Sequence, residues 1–260
     1  MTRIGRSGSR PGGTWAAATV LAAGLLLGAT PVPVMAVAPA GTTPSPVIVT
    51  HGPRTEKVIA LTIDDGYDPA ACLRMASILR ARGATATWFP IGKNVRRWPA
   101  VWERIAADMP VANHTMFHAI LPRLSDRLVF RQVNRARLLL ERTLPEAATL
   151  ELRPPGGAWT PRVAAIARSA GYRRLLLWDT TNLDTDLDAS RSQRLAAALS
   201  GGRGSIVLMH CNHDWSADLL PEIIAGYRAR GYRFVTLPEL LGPAPRAGDG
   251  LGAGPGTRPR

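Results

Sequence analysis

The chain has 260 residues, 46% of them hydrophobic and 20% charged, with a formal net charge of +13. This balance excludes a wholly disordered chain and leaves room for one large α/β domain with a sizeable core. Lys57 and Lys93 are the only lysines, and no aromatic-interleaved basic run or nucleic-acid motif accompanies the arginines; the charge therefore reads either as affinity for polyanions such as an anionic cell wall or as solvated, arginine-rich helix faces.

The N-terminus sets Arg3, Arg6 and Arg10 before the apolar run "TWAAATVLAAGLLLGAT" (14–30) and the small-residue segment "PVPVMAVAPA". Residues 1–38 are thus expected to be a secretory signal with Ala36-Val37-Ala38 as a cleavage triplet, or an uncleaved anchor, since a bilayer span needs about 17 residues at least. Both put the remainder outside the cytoplasm. Residues 39–55, rich in Pro, Thr and Ser, read as a linker, and 243–260, dominated by Gly and Pro, as a disordered tail. The folded unit is expected over 56–242. Cys72 and Cys211 would suffice for one disulfide, but sequence does not say whether they meet.

Within the folded unit, short apolar segments alternate with helical patterns. "KVIALTI" (57–63) is the first strand, and Pro69 opens a helix to Arg82 that Gly83 stops. A strand at 84–91 precedes a helix opened by Pro99, and a short strand at 110–113 precedes a long helix capped by Ser125 and running to Thr143. A strand at 150–153 leads through Thr160-Pro161 into a helix ending before Gly171. Strands at 173–179, 205–210 and 233–237 follow, with helices at 190–199 and 217–230. Strand and helix alternating about seven times predict a parallel sheet, closed or doubly wound, with chemistry at the C-terminal strand ends.

Reactive side chains collect at that rim. Asp64 and Asp65 end the first strand, His114 and His118 follow the third, Arg153 ends the fourth, Asp179 and Asp184 follow the fifth, and His210 ends the sixth. "HTMFH" would bring two imidazoles onto one face of a helical turn, within reach of one metal ion; Thr115 stands where a zinc metalloprotease needs its glutamate. A third ligand from another strand end would complete an open site. Adjacent residues of a strand face opposite ways, so one aspartate could bind metal while its neighbour acts as a base, or Asp-Asp-Gly is simply a turn. Arg153 could hold a carboxylate in fixed orientation, and His210 could be a general acid.

Together "TIDDG" (62–66), "NHTMFH" (113–118), "RPPGG" (153–157) and "IVLMH" (206–210) resemble, in order, the polysaccharide deacetylase family, the NodB-like domain of carbohydrate esterase family 4. The resemblance covers essentially the whole folded part. It implies an α/β fold, an irregular (β/α) barrel of about seven βα units. It also implies Asp64 as general base, Asp65, His114 and His118 as ligands of a divalent metal, with zinc preferred, Arg153 orienting the base and His210 as general acid. Pro154, Gly156, Trp178, Asp184 and Leu208 would line the substrate site. The implied reaction removes N-acetyl groups from an N-acetylglucosamine polymer, peptidoglycan or chitin-like, with no obligate protein partner.

Two stretches depart from the family pattern. Gly156 stands where a bulky aromatic is common, and "WDTTNLDT" (178–185) keeps Asp184 but has Thr181 and Thr185 at two other motif positions, leaving the tuning of His210 to Asp179 or Asp184. Two alternatives follow: an O-acetyl esterase on a xylan-type glycan, and a catalytically weak cell-wall binding protein on the same fold. A further ligand cluster, "HCNH" (210–213), would use His213 and Cys211.

Overall fold

The structure, a computed structural model, describes residues 47–242; the expected signal (1–38) and tail (243–260) lie outside the described residues. In chain order the elements are β1 (Val47–Val49), β2 (Val58–Asp65), α1 (Pro69–Ala81), β3 (Ala86–Pro90), α2 (Gly92–Arg97), α3 (Pro99–Ala106), β4 (Val111–Asn113), α4 (Asp126–Thr143), β5 (Ala148–Leu152), α5 (Pro161–Ser169), β6 (Arg174–Leu176), β7 (Thr180–Thr181), α6 (Arg191–Ala198), β8 (Ser205–His210), α7 (Asp214–Ala229), β9 (Arg233–Phe234) and α8 (Leu237–Leu241). Short 3-10 turns at Leu121–Arg123 and Pro155–Gly157 complete the path. The residues expected to form only a linker contribute β1, which pairs in parallel with β6.

The strands form one parallel sheet in the order β1-β6-β5-β4-β3-β2-β8-β7, with β9 on β2. β2 is buried at every position, as a central parallel strand covered on both faces must be. Of the predicted strand at 173–179 only Arg174–Leu176 forms, as β6; β7 follows it at Thr180–Thr181, and the two lie near opposite ends of the strand order. Only residues 177–179 join them, and that link reaches at most about 14 Å. Leu177 N donates to Val49 O and Asp179 N to Ile206 O, so the link touches both edges. The sheet therefore curls into an irregular barrel.

Strand alternation sorts the side chains into two layers. Ile59, Leu61 and Ile63 of β2 pack with residues of α1 and α7 outside the barrel. Val58 and Ala60 face inward with Phe89, Ala112, Leu176 and Ile206, and Leu237 and Leu240 of α8 join this inner cluster. The inside is thus a packed core rather than a channel, and polar side chains must collect at its C-terminal rim. Cys72 of α1 and Cys211, just after β8, meet in a disulfide across 139 residues of sequence. It ties the helix after the aspartates to the segment after His210.

Closing so long a loop restrains the unfolded chain. The Cys72→Ser/Cys211→Ser variant is expected to lose about 2–5 kcal/mol of unfolding free energy, read as a lowered denaturant midpoint at unchanged slope.

Candidate active site

Alternation along β2 turns Thr62 and Asp64 inward and would send Asp65 outward into the helix layer. It does not, because Asp65 has φ +74°, the left-handed region that aspartate tolerates better than most residues. Both carboxylates therefore point into one site: Asp64 Oδ2 lies 3.6 Å and Asp65 Oδ1 3.4 Å from His114 Nε2. The expectation that the neighbours face different ways is corrected by this one backbone angle. Asn94 Nδ2 donates to the Asp65 carbonyl at 3.0 Å, and Asn212 Nδ2 to Asp65 Oδ2 at 2.7 Å.

His114 and His118 do converge, but not on a helical turn. Residues 114–118 form an irregular loop in which Thr115 and His118 have φ +66° and +58°. Polar side chains hold it. Asn113 Oδ1 accepts from Thr115 N at 2.7 Å, Thr115 Oγ1 from His118 N at 3.1 Å, and Gln132 Oε1 from Phe117 N at 2.9 Å. Asn113 is itself fixed by donating to Val133 O and Tyr172 Oη. His118 Nε2 ends 3.3 Å from Asp65 Oδ1.

Arg153 is completely buried. Its Nη1 donates to Asp64 Oδ1 at 2.6 Å and to Thr62 Oγ1 at 2.9 Å, Nε and Nη2 donate to the carbonyls of Leu176 and Leu177, and the guanidinium stacks over Phe89 at 4.3 Å. Burial lowers its pKa, opposed by Asp64. On the far side, Asp184 Oδ1 lies 2.7 Å from His210 Nδ1, while its Oδ2 accepts from His210 N and Ser216 Oγ at 2.6 Å each. Burial pulls His210 down, but the hydrogen bond and charge of Asp184, with the charges of Asp64 and Asp65, hold it at about 9.

Of the substrate-lining candidates, Leu208 shares the inward face of β8 with His210, two residues away, and is buried. Pro154 is buried, whereas Gly156, at φ +61°, is exposed on the turn after β5. Trp178 is half-buried against Gly157 and Arg153. Asp179 does not tune His210: it pairs with Arg54 at 2.6 Å and accepts from Ser205 Oγ and Ile206 N, at the start of β8. Nor does "HCNH" form a ligand cluster, since Cys211 is in the disulfide and His213 stacks on Trp215. Asn94, Asn212 and Ser216 went unnoticed in the sequence, and Thr62 and Asn113, though inside quoted motifs, were given no role, because isolated Asn, Ser and Thr carry no spacing signal.

Residues 51–175 match the polysaccharide deacetylase family model. A peptidoglycan-N-acetylglucosamine deacetylase of Bacillus cereus is 31% identical over 203 residues, covering 76% of this chain and 94% of the relative. The chain belongs to the polysaccharide deacetylase family. A chitooligosaccharide deacetylase of Azorhizobium caulinodans is 30% identical over 193 residues, covering 72% of this chain and 86% of the relative. Among solved structures, a peptidoglycan N-acetylglucosamine deacetylase bound to an N-hydroxybenzamide aligns at TM-score 0.70 and 26% identity, covering 75% of this chain and 92% of that one. The fold is that of carbohydrate esterase family 4, and this polysaccharide deacetylase is a hydrolase.

The deacetylase's Asp65, His114 and His118 form a possible metal site, their ligand atoms all within 4.8 Å of one another. Asp65 Oδ1 is buried and accepts no hydrogen bond among the described residues. His114 Nδ1 faces the carbonyl of Arg153 at 2.8 Å; it must donate there, which leaves Nε2, facing Asp65, as the ring atom that can ligate. Burial, then the charge of His114, pushes His118 below its ordinary value, toward the neutral form that ligates. Burial pushes Asp65 up, but His114, His210 and Asn212 outweigh it and hold it low, keeping it ionised. The donors fit a divalent cation, and three protein ligands leave a position open, as in catalytic zinc sites.

Zinc at a hundred times its Kd is expected to stabilise the protein by about 2.7 kcal/mol. In Asp65→Asn this gain should vanish in a thermal melt. Asn212→Ala, which frees the outer oxygen of Asp65, should weaken zinc about 10–100-fold by equilibrium dialysis.

Proposed function

We propose that this deacetylase is an exported, metal-dependent enzyme that removes N-acetyl groups from an N-acetylglucosamine-containing polysaccharide, peptidoglycan or chitin-like. The observation that carries the reading is the placement of an oriented carboxylate, Asp64, and an imidazole held protonated, His210, at one Asp-His-His cluster. A binding module needs neither. Export is supported by the disulfide, since such bonds persist mainly in oxidising compartments.

Zinc or a similar divalent ion held by Asp65, His114 and His118 would polarise the acetyl carbonyl and acidify a water. Asp64 takes the proton of the attacking water, and Arg153 keeps its other oxygen engaged so that Oδ2 faces the cluster. The backbone near Gly156 offers an N–H to the developing oxyanion. His210 then gives its proton to the leaving amine, and acetate and a free amino sugar result. Leu208, on the same face as His210, supports the acetyl methyl, and Asp184 fixes the imidazole's tautomer and charge.

The decisive measurement is acetate release by the metal-loaded protein from chitooligosaccharides, glycan strands and acetylated xylan. Release from the N-acetylated polymers, lowered about 10²–10⁴-fold by Asp64→Asn, is expected. Release from xylan alone would make it an O-esterase, and none from any substrate would leave a binding protein.

Because a general acid works only while protonated, activity should fall as pH rises through about 9. Asp184→Asn should move that alkaline limb down toward the ordinary histidine value of about 6.5. The linkage sign agrees. Raised in the folded state, His210 stabilises the fold fully below about pH 6.5, and this contribution is lost as pH passes about 9.

A further inference from the structure

Beside the metal cluster lies a cavity of about 440 Å³, lined by Tyr67, Lys93, Asn94, Arg96, Arg97 and Trp98, three of them cationic and none acidic. Its lining is joined to the catalytic centre. Tyr67 is two residues beyond Asp65, its N–H faces Asn212 Oδ1 at 3.4 Å, and Asn212 also holds Asp65. Asn94, on the inner side, donates to the Asp65 carbonyl. Lys93 lies over the Tyr67 ring at 4.9 Å and Arg97 over Trp98 at 4.7 Å, and among the described residues none of Lys93, Arg96 and Arg97 is ion-paired with a carboxylate. Elsewhere on the surface the arginines are commonly neutralised: Arg74 by Asp214 and Asp218, Arg80 by Asp108, Arg162 by Asp126, and Arg191 by Glu222.

Three unneutralised cations crowding one hollow repel each other, and the positive charges at the end of α2 match its helix dipole only in part. An anion would relieve that repulsion. The hollow is of a size to take a sugar ring, half-exposed Tyr67 and half-buried Trp98 offer ring faces for stacking, and the site it adjoins is where an N-acetyl group would be processed. We infer that this cavity is a subsite for a carboxylate-bearing sugar next to the N-acetylated one, so that the enzyme selects an acidic glycan strand over a neutral one. The inference rests on the deacetylase reading and narrows its substrate class: the lactyl ether of a muramic acid unit free of stem peptide carries such a carboxylate, and a chitin-like chain does not.

The test compares a tetrasaccharide of alternating N-acetylglucosamine and N-acetylmuramic acid with its methyl ester, by calorimetric binding to the zinc-loaded protein and by acetate release. The free acid is expected to bind and to be turned over about ten-fold better than the ester, an advantage of about 1.4 kcal/mol. Raising salt from about 50 mM to about 0.5 M should erode that preference in the unaltered protein. Arg96→Gln/Arg97→Gln should bring the ratio toward one through KM, whereas Arg96→Lys/Arg97→Lys, which keeps the charge, should retain most of it. Equal binding of acid and ester, with acetate released from both, overturns the inference and leaves the deacetylase reading standing. Preferential binding of the acid without acetate release from either does the reverse.

Discussion

The site depends on one break in strand alternation. β2 runs inward and outward in strict turn from Val58 to Asp64, and if Asp65 obeyed the same rule its carboxylate would be buried among the side chains beneath α1 and α7. The positive φ at Asp65 instead places two consecutive acids on one side, within 3.6 Å of one imidazole. Thr115 and His118 adopt the same unfavourable region, so three of the four non-glycine left-handed residues among the described ones sit at or beside the proposed metal ligands. Such conformations cost of order 1–3 kcal/mol each and persist only where the surroundings over-determine them. Here the surroundings are Asn94 and Asn212 for Asp65, and Asn113, Gln132 and the α2 backbone for the histidine loop, with Gly92 N donating to Thr115 O.

Arg153 makes this convergence of like charges tolerable. Asp64 is bonded to a guanidinium with no solvent exposure, while Asp65 faces two imidazoles and an amide. The two acids are thereby given different partners: one is oriented by a fixed cation, and the other is left with a single unsatisfied oxygen facing two imidazoles. A buried arginine is expensive to desolvate. Its Nε and Nη2 bonds to Leu176 and Leu177 offset that cost, and they exist because the chain leaves β6 there to cross to β7. Barrel closure and the orientation of Asp64 therefore share the end of β6 and the first residue of the link that follows it.

What sequence reading recovered follows from what pattern can encode. Strand ends and helix starts were legible from apolar runs, Pro69, Pro99, Ser125 and Thr160, and four ordered motifs pointed to the rim residues. β1 was hidden in a Pro/Thr segment because its three residues pair with a strand distant in sequence. The break at Leu176 was hidden because "LLLW" (175–178) is one unbroken apolar run and only closure divides it. His114 and His118 were expected to meet by helical spacing, and they meet through backbone angles that no spacing reveals. Asp184 proved to be the partner of His210 while Asp179 went to the other end of β8, a choice fixed by the path of β7 rather than by either residue's local sequence.

The supporting residues that pattern missed also explain how the parts communicate. Asn212 donates to Asp65 with its amide nitrogen and faces Tyr67 N–H with its oxygen, and it lies two residues after His210. The disulfide at Cys211 pins that segment to α1, whose N-cap Asp68 adjoins Tyr67. One short stretch, 210–212, thus carries the proposed general acid, a covalent tether and the amide that orients a proposed metal ligand. Displacing any one of the three moves the other two, because a residue or less of backbone separates each from the next. This makes the departures within "WDTTNLDT" tolerable: Thr181 and Thr185 need not supply what the family pattern has there so long as Asp184 holds both the ring and the backbone N–H of His210, fixing where that stretch begins.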